Sequence, residues 1–508
     1  MITTNYKLIK KIALLYMIIP LMIFFLGWLK WYVSIISIIL IIIALFSAFH
    51  MSNDEYHVNN NIKISVKSLL LIICISILWC FFAGQGGFFY QSEDHDIRNA
   101  IFRDLINFNW PVIYENQNNA MVYYIGQWLV PALVGKIFVG LGEDIGWMAG
   151  NIALFIWSSF GIFIVILLMF LVIKVKSIKN IIICIAVLVL FSGLDIIGIV
   201  MQCVTNKRLI LVDHIESWSG FWEYSSMTTC LFWVYNQAIV TWIVVLLYLN
   251  EKKLNLYAFI CLSMLPFAPI PFIGMLPFFL ASTINSFIIK YRNNKMKDFF
   301  REILSLPNII AAVTICPIYF LYYLSNAAIN TKGFGLSNGL QERGIIKTIL
   351  IIILFMVLEF GIYAVLIWKK NNKNLNYFVA IISLLIIPIF RIGGASDFSM
   401  RASMPSITVL MVLIIAFIQE YKFIMYNNSL HKKLIIRLLI ITLIFGAVTP
   451  VYEFGRGAYY VYKEKSINLM ADTTKSLSEM KIDEIYNFAT DNPYDKMFFK
   501  YLGRSHQQ

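Results

Sequence analysis

The chain has 508 residues, of which 60% are hydrophobic and only 14% charged, with a formal net charge of +13. A soluble domain carries about a quarter charged residues, so this much apolar surface needs lipid as its solvent, which excludes a water-soluble globular class. The positive balance does not indicate nucleic acid, because Lys and Arg lie in short clusters between apolar runs, as in the cytoplasmic loops of membrane proteins.

In chain order, apolar segments fall near 12–29, 32–49, 66–83, 144–173, 180–200, 230–249, 254–268, 271–289, 307–326, 345–368, 376–391, 403–421 and 433–450. By the length a bilayer requires, roughly 20 residues, they predict an all-α polytopic membrane protein with about thirteen transmembrane helices. The pair 254–268 and 271–289 is broken by Pro266, Pro269, Pro271 and Pro277 and reads as a kinked or tight hairpin. The run 121–141 is also apolar, but Pro131 and Lys136 sit well inside it. A charge at the bilayer centre costs about 2.5–3.5 kcal/mol.

Orientation decides how that run is read. If it lies along the interface, the N-terminus with Lys7, Lys10 and Lys11 becomes cytoplasmic. So do the clusters Lys174/Lys176/Lys179, Lys252/Lys253, Lys290/Arg292/Lys295/Lys297/Arg301, Lys369/Lys370/Lys373 and Lys432/Lys433/Arg437, leaving Lys207-Arg208 as the exception. If it crosses, every cluster from Lys174 onward moves outside, against the positive-inside tendency. The expected topology is N-terminus cytoplasmic and C-terminus extracytoplasmic. Residues 1–450 form the membrane domain and 451–508 a small extracytoplasmic tail, with outer loops at 84–143, 201–229, 327–344 and 392–402. Helical spacing of Ile467, Met470, Leu477, Met480, Ile482 and Ile485 predicts a docked helix over 467–488. The seven cysteines show no paired metal-ligand spacing. Cys203 and Cys230 flank one loop and would pair only in an oxidising compartment; free thiols are expected.

The first outer loop holds the densest acidic cluster, Glu93, Asp94 and Asp96, followed by Asp104 and Glu115. In 97–108, Ile97, Ile101, Leu105 and Phe108 recur at helical spacing, the pattern of a helix lying flat in the interface. Asp94 and Asp96 would diverge on a helix. Asp96 suits the N-cap, which leaves Asp94 to face a substrate. Read without further context, the cluster is a solvated turn with a cap.

Several residues here form a pattern: Asp94/Asp96, Arg98, Ala100, Trp110-Pro111-Val112, Tyr123-Tyr124, and Lys136, Phe138 and Gly140. It resembles the first outer loop of GT-C membrane glycosyltransferases, in particular the bacterial branch similar to protein O-mannosyltransferases and aminoarabinose transferases. The resemblance covers roughly residues 84–175. It departs from the family at His95, at Asn99 and at Asn119-Ala120, and two extra spans precede the loop. It implies a GT-C-like bundle in the bacterial cytoplasmic membrane, with two interfacial helices in this loop. It implies transfer of a sugar from a polyprenyl-phosphate donor to an extracytoplasmic acceptor, whether envelope glycan, lipid or protein. The catalytic carboxylate would be among Glu93, Asp94 and Asp96, with Arg98 and Lys136 binding substrate. The alternative is a transporter, flippase or polymerase of lipid-linked saccharides.

Other candidates lie further on. Asp195 sits near the outer end of its span, where a membrane carboxylate is a functional candidate or a local hydrogen bond supported by Gly193 and Gly198. Asp213, His214, Glu216 and Glu223 share a later outer loop, where the family often keeps an assisting acid, so Asp213 and Glu216 are substrate-binding candidates. A His with two acids is metal-ligand chemistry, but the spacing matches no established motif. A surface loop is the expected reading, no metal site is assigned, and cofactor identity, a divalent cation included, stays open. Arg391, Asp397 and Arg401 flank Gly393-Gly394, and Arg suits bidentate phosphate contacts; the plainer reading is an Asp397–Arg401 ion pair. Glu359 lies mid-span and needs a partner.

Overall fold

The computed structural model describes residues 2–51, 61–175, 177–207, 214–330, 332–334, 337–392, 394, 396–424, 430–464, 474–481 and 485–504. Ten helices among the described residues are long and apolar enough to cross a membrane: Tyr6–Trp28, Trp31–Met51, Glu143–Ile173, Ile178–Asn206, Met227–Asn250, Pro269–Arg292, Leu306–Leu324, Ile345–Asn371, Asp397–Glu420 and Lys433–Lys463. The chain is therefore a multi-pass, all-α membrane protein. Val66–Phe82, Gly126–Val139 and Leu375–Ile389 are shorter apolar helices. The segment 254–268 is not one helix but a 3-10 turn, Leu254–Leu256, and a short helix, Tyr257–Leu262. Pro266 and Pro269 lack the N–H groups that would carry the helix ladder onward.

Met227–Asn250 is the central helix, buried along almost its whole length. At one end of the N-terminal helix, the ammonium of Lys10 lies 2.6 Å from Glu251 Oε1, and the Tyr6 hydroxyl donates to the same oxygen at 2.6 Å. A buried lysine costs several kcal/mol unless paired, and here the pair ties the first helix to the end of the central one.

Two crossing segments are irregular, and both irregularities carry acids. Ile178–Asn206 opens between Leu190 and Asp195. Neighbours satisfy the freed backbone: Met227 N donates to Phe191 O at 3.2 Å, Leu194 N donates to Leu358 O at 3.1 Å, and the Tyr363 hydroxyl donates to Ser192 O at 3.0 Å. Ile345–Asn371 contains a π turn, Val357–Gly361, which presents Glu359. The last long segment is two helices, Leu430–Gly446 and Val448–Glu464, so helix continues through Pro450, placed in the first turn where its missing N–H costs nothing.

The expected helix over 467–488 is not seen where that stretch is described. Residues 467–473 and 482–484 lie outside the described residues, and 477–479 form a 3-10 turn. Tertiary partners take the backbone instead. Leu477 N donates to Asp104 Oδ2 at 3.0 Å, and Ala489–Asp491 joins Ile113–Tyr114 and Asn119–Met121 as the third antiparallel strand, with Ala120 opposite Thr490. The tail thus docks on the first large loop by strand addition. No disulfide joins any of the seven cysteines, all of which lie among the described residues.

Candidate functional site

The first loop helix runs from Asp94 to Asn107, three residues earlier than its apolar spacing indicates. Asp94 and Asp96 both occupy its first turn, where carboxylates complement the positive end of the helix dipole. Asp96 is consequently not the N-cap; Glu93 holds that position and makes no side-chain capping bond. Partial burial and the neighbouring Glu93 raise the Asp96 carboxyl above its ordinary range. His95 is buried beneath the turn, its Nδ1 3.2 Å from Ser92 Oγ; burial and the nearby Arg98 push its pKa down to about 3, so the ring is neutral.

Arg98, one turn on, returns Nη2 to Asp94 Oδ2 at 2.9 Å. The same geometry recurs across the space in front of it. Arg401 places Nη1 3.0 Å from Asp397 Oδ1, again at i,i+4, in the first turns of Asp397–Ile424. Each guanidinium keeps a buried nitrogen, Nη1 of Arg98 and Nε of Arg401, that no described group accepts from. Between the two pairs lies a cavity of about 610 Å³, walled by Tyr123, Tyr124, Tyr323 and Phe488. Glu93 and Asp94 lie at its edge as exposed carboxylates. The Tyr123 and Tyr124 hydroxyls bond to each other, and burial raises that of Tyr123 well above its ordinary range.

The loop is held in place from two sides. Asp104 is fully buried and accepts from the Tyr114 hydroxyl at 2.7 Å as well as from Leu477 N; burial nevertheless raises its pKa to about 6. Lys136, on the second loop helix Gly126–Val139, donates to Ile106 O at 3.2 Å and Phe108 O at 2.5 Å and lies 5.3 Å from the Trp110 ring. It thus caps the C-terminal carbonyls of the first loop helix.

The structure brings together Glu93, Asp94, Arg98, Asp397 and Arg401, which are far apart in sequence. Asp96 is exposed and outside the cavity wall, and Lys136 is spent on the helix end. Arg391 lies on the strand Phe390–Ile392, opposite Gly333; Ile392 lines the cavity and Arg391 does not. Asp213 lies outside the described residues. Tyr323, Asn326 and Asn487 complete the wall. Tyr323 belongs to an aromatic cluster at the end of its span that sequence reasoning passed over, whereas nothing in the sequence marks Asn487.

The remaining two candidates, Asp195 and Glu216, belong to a second constellation. Asp195 accepts from Ser192 Oγ and Thr449 Oγ1, both at 2.9 Å, and lies near Glu359, whose Oε1 accepts from Trp218 Nε1 at 3.1 Å. Gly193 and Gly198 make this possible, since a Cβ at either would overlap Glu359 or Trp218. The surface-loop reading of 214–223 does not hold: Glu216 and Glu223 are 1% and 6% exposed. His214 Nε2 lies 3.1 Å from Glu223 Oε1 and 3.5 Å from Glu216 Oε2, while Nδ1 lies 3.4 Å from Glu453 Oε1. Against burial, the hydrogen bonds to Glu223 and Glu453 push His214 up to about 11, and burial pushes Glu216 up to about 8.

Comparison with protein-family models, with curated proteins and with solved structures finds no match to this chain.

Proposed function

We propose that this chain is a membrane glycosyltransferase of the GT-C type, moving a sugar from a polyprenyl-phosphate donor to an envelope acceptor on the extracytoplasmic face of a bacterial cytoplasmic membrane. The observation that carries the reading is the cavity lined by two arginines from distant helices, Arg98 and Arg401, and edged by Glu93 and Asp94. Guanidinium groups bind phosphate oxygens and stabilise charge on a departing phosphate. A carboxylate at hydrogen-bond reach takes the acceptor's proton. In the step, the bond from the anomeric carbon to the phosphate oxygen breaks with its electron pair going to the phosphate. The acceptor oxygen bonds to that carbon through an oxocarbenium-like transition state, and its proton passes to Asp94.

In this reading Asp94–Asn107 and Gly126–Val139 lie in the membrane interface. The second has 14 residues, about 21 Å at 1.5 Å per residue, short of the roughly 30 Å hydrocarbon core. The bundle then has up to thirteen membrane segments, with the cavity at the outer end and the basic clusters inside. Membranes containing the protein, supplied with a panel of labelled polyprenyl-phosphate sugars, should transfer label to an acceptor; Asp94→Asn should abolish transfer while the protein remains inserted. No transfer from any donor overturns the reading.

A second reading, a transporter of lipid-linked saccharides, draws on Asp195 and Glu359 at the helix break and the π turn, since broken helices carry coupling-ion sites in transporters. It predicts translocation of a labelled lipid-linked sugar across proteoliposomes without a change in its chemistry.

A further inference from the structure

Among the described residues, the carboxylates of Asp195, Glu216, Glu223, Glu359 and Glu453 lie close to one another, and the ion pairs they make are to two cationic side chains, His214 and Arg456. Buried carboxylates in excess are unfavourable unless protonated or neutralised by a further cation.

The hydrogen-bond count around His214 shows where such a cation fits. Glu216 Oε1 is fully engaged, accepting from Ser226 N and Thr229 Oγ1, each at 2.7 Å. Glu216 Oε2 is buried, has no hydrogen-bond partner, and points at His214 Nε2 from 3.5 Å. His214 Nε2 carries at most one proton, and Glu223 Oε1 at 3.1 Å is better placed to accept it. Nε2, Glu216 Oε2 and Glu223 Oε1 therefore face a common point, and all lie within 4.8 Å of one another. Ligands at 2.0–2.1 Å from a tetrahedral ion are separated by about 3.3 Å, close to the two separations that involve Nε2.

The surroundings follow the pattern of metal sites. Metal-ligating histidines usually give their other ring N–H to a carboxylate, which fixes the tautomer. Here Nδ1 faces Glu453 Oε1 at 3.4 Å, and Glu453 Oε2 is held by Trp233 Nε1 at 3.1 Å and Arg456 Nη2 at 2.7 Å. Glu223 is oriented by Ser225 Oγ, which donates to the ligand oxygen Oε1 at 2.6 Å, and by Ser396 Oγ, which donates to Oε2 at 3.1 Å. His214 is 21% exposed at its side chain, which leaves an entry path.

We propose that His214 Nε2, Glu216 Oε2 and Glu223 Oε1 bind one divalent transition-metal ion, with Glu453 orienting the imidazole. One imidazole and two carboxylates suit Zn²⁺ or Mn²⁺ better than an all-oxygen ion such as Ca²⁺. Three protein ligands leave a fourth position for water or a substrate oxygen, the arrangement of a catalytic site, not a closed structural one. Ser396, bonded to Glu223, directly precedes Asp397 of the cavity wall, so the ion would adjoin the cavity through that helix start. The inference stands whether or not the chain transfers sugar.

The test uses the full-length chain, purified in detergent, stripped with chelator and titrated with Zn²⁺ at neutral pH, with bound metal counted per chain. Wild type should bind one ion, and Glu216→Gln, which keeps an acceptor for Ser226 and Thr229, should lose that binding. Glu453→Gln should weaken it about 10–100-fold while remaining monodisperse. Should a variant misfold, wild type alone decides: saturating Zn²⁺ should raise its unfolding temperature in detergent, because the ion binds the folded chain. Absence of stoichiometric binding to wild type, unchanged binding in Glu216→Gln, or a wild-type unfolding temperature unmoved by Zn²⁺ overturns the proposal.

Discussion

The cavity and the His214 constellation solve opposite electrostatic problems. Around the cavity, regular helices set Asp94 with Arg98 and Asp397 with Arg401 at i,i+4, so each charge has a neutralising neighbour. Around His214 the acids come from five places, a helix break (Asp195), a π turn (Glu359), the short 3-10 turn Ile215–Ser219 (Glu216), the loop after it (Glu223) and the helix Val448–Glu464 (Glu453), and the ion pairs they make are to His214 and Arg456. Within one helix the i,i+4 spacing sets opposite charges side by side; segments from distant parts of the chain, by meeting at one point, gather like charges.

Changes in the cavity should act on chemistry and leave the fold intact. The largest expected effect is Asp94→Asn, a loss of about 10²–10⁴ in transfer rate if Asp94 is the proton acceptor, measured under saturating donor. Arg401→Ala should lose about 10²–10³ and also weaken donor binding; an equal loss with Arg401→Lys would show that the planar fork matters and not charge alone. Changes around the second site should act on stability first. Gly193→Ala pushes a methyl group into Glu359 and should destabilise by about 1–3 kcal/mol, seen as a lower unfolding temperature in detergent with no direct change at the cavity.

A smaller effect concerns the docked tail. The Asp104 carboxyl sits at about 6 in the folded chain, above its ordinary value of 3.8, so the folded form holds the proton more tightly. The stability it contributes is full below about 4 and is lost as pH rises through about 6. Protection from hydrogen exchange at Leu477 and the strand Ala489–Asp491, taken relative to the unfolded-chain rate at each pH, should therefore be greater at pH 5 than at pH 7.5, and Asp104→Asn should remove that difference. Protection that rises from pH 5 to pH 7.5 contradicts this account. The smallest effect is Lys136→Met, which removes the cap on the first loop helix and should cost about 1 kcal/mol.

The sequence was most legible where one periodicity governs. Uncharged apolar runs gave the crossing helices, and Pro266 and Pro269 marked where 254–268 fails to form one. The acidic cluster before Arg98 marked one wall of the cavity, and the Arg401 segment marked the other. Missing from the sequence was everything set by tertiary partners. Asp96 reads as an N-cap until the helix is seen to begin at Asp94. Leu477 and Met480 read as a helix face until Asp104 accepts from Leu477 N and Leu477–Glu479 closes into a 3-10 turn. Lys136 reads as a substrate-binding residue until it is found on two carbonyls. The burial of Glu216 and Glu223 depends on helices more than a hundred residues away, which local spacing cannot convey.

The central claim is that the cavity between Arg98 and Arg401 is where a sugar leaves a lipid-linked phosphate. Its most direct test is sugar transfer by purified protein in proteoliposomes, comparing wild type with Asp94→Asn/Arg401→Ala from the labelled polyprenyl-phosphate sugar that wild type accepts. The account predicts transfer by wild type and none above background by the double variant, with both proteins inserted and monodisperse. Transfer by the double variant at the wild-type rate would contradict it.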